Sequence, residues 1–208
     1  MSLIERLRDK IYGFSTPVAA VPPVCSNDKT EITAQKIASD QVSDEEFFAN
    51  IPKVQLTVFP KRVMFVCSGN ICRSAYGEYR FRQMCMADHP GTQVISSGTL
   101  RITGRQASQE MIAVGAERGL NLEPHRSNGL SKLLVDSSDI IFVMAQVHRM
   151  EILRISPESD KKIVLLGYWL NKPKYEIDDP IRQSMDFYRR VASEIDEALE
   201  NWMNFNFR

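Results

Sequence analysis

The stretch Val66-Cys67-Ser68-Gly69-Asn70-Ile71-Cys72-Arg73-Ser74 carries a full set of groups for displacement at an oxyanion. Five residues separate the thiol of Cys67 from the guanidinium of Arg73. A loop of this length can wrap into a nest of backbone N–H groups aimed at one anion. Gly69 allows a positive φ, and Asn70 tolerates one better than most residues. Arg73 can grip two phosphoryl oxygens with its planar fork, which a lysine cannot do. These positive surroundings favour the thiolate of Cys67, the nucleophilic form. Metal chemistry is not expected, because the chain has neither a C-x-x-C nor an H-E-x-x-H spacing and no cofactor motif.

The elements around this stretch must hold it still. Residues 62–67 are apolar and β-branched and predict a buried strand that ends at Cys67. A helix is expected at 74–87, beginning where the loop ends, so its N-terminal N–H groups and dipole would add to the anion site. Further strands are expected at 93–97, 139–144 and 162–166. Helices are expected at 106–118 (closed by Gly119), at 130–135, at 147–155 and from near Ser184. The last helix carries Phe187, Val191, Ile195, Leu199 and Trp202 on one stripe. Alternating strands and helices imply an α/β fold, a four-stranded parallel sheet with helices on both faces. Ligands of such sheets sit beyond the C-terminal strand ends, which is where Cys67 falls.

Residues 1–60 lack this alternation and read as an N-terminal extension of a domain spanning 61–208. The extension has an apolar stripe at Leu3, Ile4, Leu7 and Ile11 and a stretch broken by Pro17, Pro22 and Pro23. Ser43-Asp44-Glu45-Glu46 is a capping box for one short helix ending near Asn50. Twenty-six basic residues balance twenty-six acidic ones. The chain therefore has no electrostatic reason to bind nucleic acid. No apolar run reaches the roughly 20 residues of a membrane span. The first residues lack the apolar core of a signal peptide, so the expected place is the cytoplasm, with Cys25, Cys67, Cys72 and Cys85 reduced.

At these residues the sequence resembles the low-molecular-weight protein tyrosine phosphatase family, over about 61–202. Ser96-Ser97-Gly98-Thr99, Pro124-His125-Arg126-Ser127, Asp139-Ile140-Ile141-Phe142-Val143-Met144 and Glu176-Ile177-Asp178-Asp179-Pro180 are similar to further family segments. Residues 162–187 are most similar to bacterial members that act with tyrosine kinases of capsule or exopolysaccharide export. The resemblance implies hydrolysis of phosphotyrosine on protein substrates, without a cofactor, and makes such a kinase a candidate partner. It implies that Cys67 forms a cysteinyl phosphate, that Arg73 stabilises the transition state and that Asp179 is the general acid and then the base. Ser68, Gly69, Asn70, Ile71, Cys72 and Ser74 would cradle the phosphate, while Asn70, Ser74, Ser97 and His125 would brace the loop.

The chain also departs from the family pattern. Ile181-Arg182 stand where eukaryotic relatives place two tyrosines, and Leu100-Arg101-Ile102-Thr103 occupy a loop that is aromatic in many relatives. Ala145 stands where relatives often have Asp or Thr. Three alternatives share the fold or the loop. An arsenate reductase would need resolving cysteines far downstream, and none follows Cys85. A phosphoarginine phosphatase would carry Thr where this chain has Ile71. A non-enzymatic binding module would have lost the nucleophile or the acid. A Cys67–Cys72 disulfide is a further expectation, as reversible protection of the nucleophile.

Overall fold

The computed structural model describes residues 56–207. The apolar stripe at 3–11, the proline-broken stretch and the short helix ending near Asn50 lie outside the described residues, as does Cys25. Strands β1 (Arg62–Cys67), β2 (Gln93–Gly98), β3 (Ile140–Val143) and β4 (Ile163–Leu165) form one parallel sheet in the order β2-β1-β3-β4. The helices are α1 (Arg73–Cys85), α2 (Gln109–Glu117), α3 (Lys132–Ser137), α4 (Gln146–Ile155) and α5 (Met185–Phe207). The expected four-stranded α/β architecture is therefore the observed one.

β1 is the central strand, and its side chains alternate between two cores. Val63, Phe65 and Cys67 face α1, α2 and α5, where Phe81, Val114, Val191, Ile195 and Trp202 are buried. Met64 and Val66 face the other side, against Val135 of α3 and Ile152 of α4. Burial on both faces explains why β1 reads as an unbroken apolar run. Aromatic rings knit the larger core: Phe65 stacks on Phe142 at 5.0 Å, and Trp202 meets Phe142 edge-on at 4.9 Å. Each such pair adds about 0.5–1.5 kcal/mol beyond area burial.

Two features aim the sheet at the loop. The chain leaves β1 for β2 on one side and returns to β3 on the other, so strand order reverses at the C-terminal end of β1. A crevice opens at such reversals. α1 lies close against β1, because a Cβ on Gly77 would stand 2.7 Å from the Phe65 ring. That close approach brings the helix N-terminus onto Cys67.

Element edges differ from the expected ones for local reasons. α2 starts at Gln109 rather than 106 because the Ser108 side chain caps it, accepting from the Met111 N–H. Ser131 caps α3 in the same way through Leu134, moving its start from 130 to Lys132. The packed region also reaches upstream of residue 61. The Leu56 N–H donates to Asn206 Oδ1 at 2.8 Å, and Phe59 lies flat on His89 at 3.5 Å. The change of sequence pattern near residue 60 marks where alternation begins, and packing begins earlier.

Candidate active site

Cys67 is the last residue of β1 and is buried, with Sγ at the floor of a cavity of about 220 Å³. The cavity is lined by the loop residues Cys67, Ser68, Gly69, Ile71, Cys72 and Arg73, and by Leu100, Ile102, Arg105, Asp179 and Ile181 from two facing segments. Two groups point at Sγ: the Asn70 N–H at 3.3 Å and the Ser74 hydroxyl at 2.9 Å. Ser74 Oγ itself accepts from Asn70 Nδ2 at 2.9 Å, which leaves its own hydrogen to face the sulfur. Both contacts can then donate to the sulfur.

Asn70 is the keystone of the loop. Its φ is +53°, a conformation an asparagine adopts at lower cost than most residues. Besides Ser74, its Nδ2 donates to Ser96 Oγ at 2.7 Å, and its Oδ1 accepts from the Asn128 N–H at 2.7 Å. Its carbonyl meets His125 Nε2 at 2.7 Å. Ser96 in turn donates to Glu78 Oε2 at 2.6 Å. The loop also packs directly on the end of β2, where a Cβ at Gly98 would fall 2.7 Å from the Ser68 carbonyl. Leu100 N–H donates to that same carbonyl at 3.0 Å.

Arg73 enters from the first turn of α1, whose N-terminus has no side-chain cap. One arm donates to the Ile177 carbonyl at 2.9 Å and the other to Asp179 Oδ2 at 2.5 Å, while its buried Nε has no hydrogen-bond partner. The acid-bearing segment is tied to the sheet by the Ile177 N–H, which donates to the Met144 carbonyl at 2.8 Å. Of the adjacent carboxylates, Asp179 lines the cavity, whereas Asp178 pairs with Lys174 at 3.2 Å.

The sequence reading assigned the bracing hydroxyl of β2 to Ser97, and here the structure differs. Ser97 Oγ faces Met64 Sδ at 3.6 Å, and Ser96 is the residue that reaches Asn70. Successive residues of a strand point to opposite faces, so only one of two adjacent serines can meet the loop. His125 does touch the loop, through the Asn70 carbonyl. Glu78 and His148 were missed. His148 is buried beneath the loop with Nε2 3.0 Å from Ser68 Oγ and Nδ1 without a partner. Burial, reinforced by the nearby Arg73 charge, pushes it down to about 3, so it is neutral. Its place after the Met144 strand end was its only sequence signal.

Cys72 is engaged by the starts of α2 and α5. Its thiol donates to Ser108 Oγ at 3.2 Å and lies 4.0 Å from Tyr188 OH. Burial pushes this thiol up to about 12, outweighing the Ser108 hydrogen bond that favours ionisation. A bridge to Cys67 would require Cys72 to leave Ser108 as a thiol that seldom ionises. Among the described residues no group of three or more His, Cys, Asp or Glu side chains could hold a metal ion, and no helix is long and apolar enough to cross a membrane.

A strand-end cysteine at a helix N-terminus, with an arginine and a carboxylate in the cavity wall, thus sits at the C-terminal edge of an open parallel α/β sheet. The chain belongs to the low molecular weight phosphotyrosine protein phosphatase family, whose model matches residues 62–206. It is 32% identical over 142 residues to the probable low molecular weight protein-tyrosine-phosphatase AmsI of Erwinia amylovora, covering 68% of this chain and 94% of that one. The crystal structure of AmsI superposes with a TM-score of 0.67 at 30% identity, over 74% of this chain and 99% of AmsI. Wzb of Vibrio vulnificus, solved in complex with benzylphosphonate, gives a TM-score of 0.64 at 33% identity, over 70% and 99% of the two chains.

Proposed function

We propose that the protein hydrolyses phosphotyrosine on protein substrates through a cysteinyl phosphate. Cys67 Sγ attacks phosphorus, an S–P bond forms and the bond to the phenolic oxygen breaks. Asp179 gives its proton to that oxygen, then takes one from the water that splits the S–P bond. Arg73 and the loop N–H groups neutralise the equatorial oxygens. Before this, Arg73 must exchange its hold on Asp179 for the phosphoryl group, and its unpartnered Nε is a donor ready for one oxygen. Ser68, Gly69, Asn70, Ile71, Cys72 and Ser74 build the cradle, and Ser96 with His125 holds Asn70 in place.

The observation that carries this reading is the Cys67 sulfur, flanked by two donors at the floor of a cavity that also receives Arg73 and Asp179. The walls favour an aromatic ester. Ile71, Leu100, Ile102 and Ile181 are aliphatic and offer a slot for a ring rather than partners for a phosphoguanidinium. Benzylphosphonate bound to the Vibrio relative is an anion on a benzyl group, as this slot requires. The similarity of residues 162–187 to bacterial members that act with tyrosine kinases of capsule or exopolysaccharide export supports a role opposing such a kinase, and the expected place remains the cytoplasm. The missing downstream cysteines leave an arsenate reductase without its relay, and the retained Cys67, Arg73 and Asp179 argue against a mere binding module.

The test is hydrolysis of matched phosphotyrosine, phosphoserine and phosphoarginine peptides in the presence of a chelator. Phosphotyrosine is the expected substrate and Cys67→Ser the expected dead variant. Selective turnover of phosphoarginine, or activity that persists in Cys67→Ser, contradicts the reading.

A further inference from the structure

Most arginines of the described surface are matched by carboxylates. Arg80 pairs with Asp196 and Glu200, Arg149 with Asp160, Arg154 with Glu151, and Arg189 with Glu117 and Asp186. The mouth of the cleft is different. Arg101, Arg105 and Arg182 are exposed, and among the described residues none has an ion pair or a side-chain hydrogen bond. Arg105 lines the cavity itself. Arg101 and Arg182 each follow a lip residue, Leu100 on one side and Ile181 on the other. The two lip segments, 99–109 and 180–185, contain no Asp or Glu. The carboxylate in the cavity wall, Asp179, is already held by Arg73. A chain of zero net charge thus concentrates unmatched positive charge at one opening.

The backbone sets these side chains deliberately. Among the described residues the non-glycine positions with positive φ are Asn70 (+53°), Arg101 (+55°) and Arg182 (+64°). All three belong to this site. L-residues avoid this region, and strained backbone gathers where function requires it. Arg101 is further fixed by Gly129, where a Cβ would stand 3.1 Å from the Arg101 Cα.

We propose that the preferred substrates are phosphotyrosines flanked by acidic residues, with the aliphatic lips taking the ring and Arg101, Arg105 and Arg182 taking Asp or Glu on either side of it. The proposal rests on the phosphotyrosine reading above and adds the class of sequence around the phosphate. Each exposed charge pair is worth about a 1.4- to 5-fold change in binding, so three acting together in the middle of that range, at about 1.7- to 3-fold each, give about 5- to 30-fold. Such pairs weaken as salt shortens the screening length.

The experiment compares kcat/KM for three phosphotyrosine peptides of one length, with Asp/Glu, Ala or Lys flanks, at low and high salt. The full chain is used. Expected is an acidic-over-Ala ratio of about 5–30 at low salt that falls toward parity at high salt. Arg101→Asn with Arg182→Asn should cut the ratio to about 2 or less, and Arg101→Asp with Arg182→Asp should invert it. Asn and Asp tolerate the left-handed backbone, so these variants remove or reverse charge without forcing the turn. The ratio is taken between two peptides on one enzyme, which cancels any loss of folded protein or of chemistry. Equal turnover of the three peptides, or a preference unaltered in both variants, overturns the proposal and leaves the phosphotyrosine reading standing. Turnover of none of them sinks that reading and the proposal together.

Discussion

In the proposed reaction Cys67 acts only as well as its neighbours supply a proton to the leaving group and hold its loop in shape. Removing the acid isolates one part of this. Asp179→Asn is expected to lower kcat on phosphotyrosine by about 10²–10⁴-fold, with a smaller loss for a leaving group of low pKa that needs no proton. Equal loss on both substrates would take Asp179 out of the acid role, and a selective loss in Asp178→Asn would transfer the role to its neighbour. Removing the brace isolates another part. Ser96→Ala unties Asn70 from Glu78 and should reduce kcat/KM, while Ser97→Ala, facing Met64, should leave it within about twofold. The reverse order would restore Ser97 to the loop. His148 gives a pH-dependent reading of the same pocket. Its folded pKa of about 3 lies below the roughly 6.5 of an unfolded histidine, so between these values the unfolded chain binds the extra proton. Its contribution to stability is complete above about pH 6.5 and is lost as pH falls toward 3, by up to about 1.4 kcal/mol per pH unit. Urea denaturation of His148→Gln should show a flatter profile between about pH 6.5 and 5 than the parent. Parallel profiles would mean that His148 is not held neutral. At this scale the sequence was partly legible. Cys67 and Arg73 stand out because strand end, loop and helix start coincide in nine residues. Ser96 was missed because a pair of serines does not reveal its phase, although Val94 shares the face of Ser96 and would have given it.

Between elements, the site depends on how closely two strands and one helix approach. The loop after β1 rests on the end of β2 with no room for a methyl group at Gly98. Gly98→Ala must push the Ser68 carbonyl or the Asn70 N–H, the latter being one of the donors to Cys67. Overpacking of this kind costs about 1–3 kcal/mol. The expected outcome is a fall of more than about tenfold in kcat/KM on an aryl phosphate, with the protein still folded by circular dichroism. Undiminished turnover would mean that the loop does not need its seat on β2. β1 and β3 were legible because both their faces are buried and they read as short apolar runs. Helix starts were less so. Ser108 and Ser131 stop the backbone from entering the helix until their side chains have capped it, and periodicity alone does not register that choice.

Over the whole molecule, the cavity is built from residues between Cys67 and Ile181, and the region packed around it reaches back to Leu56. We propose that the residues before this region serve contact or localisation rather than chemistry. A chain beginning near Val54 keeps Leu56 and Phe59, and is expected to turn over a small aryl phosphate at the rate of the full protein. A loss of more than about tenfold, roughly 1.4 kcal/mol of barrier, in a folded truncation would place the extension in the active site. The extension is also where the sequence was least informative. An apolar stripe such as Leu3, Ile4, Leu7 and Ile11 says that a surface is needed without saying which one.

The central claim is that phosphate passes through the sulfur of Cys67. Its most direct test is to quench the enzyme in acid during turnover of a phosphotyrosine peptide and to map the phosphorylated residue by mass spectrometry. The expected result is a phosphorylated Cys67, more abundant in Asp179→Asn if the slowed step is attack of water, and absent in Cys67→Ala together with turnover. Phosphate on another residue, or turnover that continues in Cys67→Ala, would contradict the account.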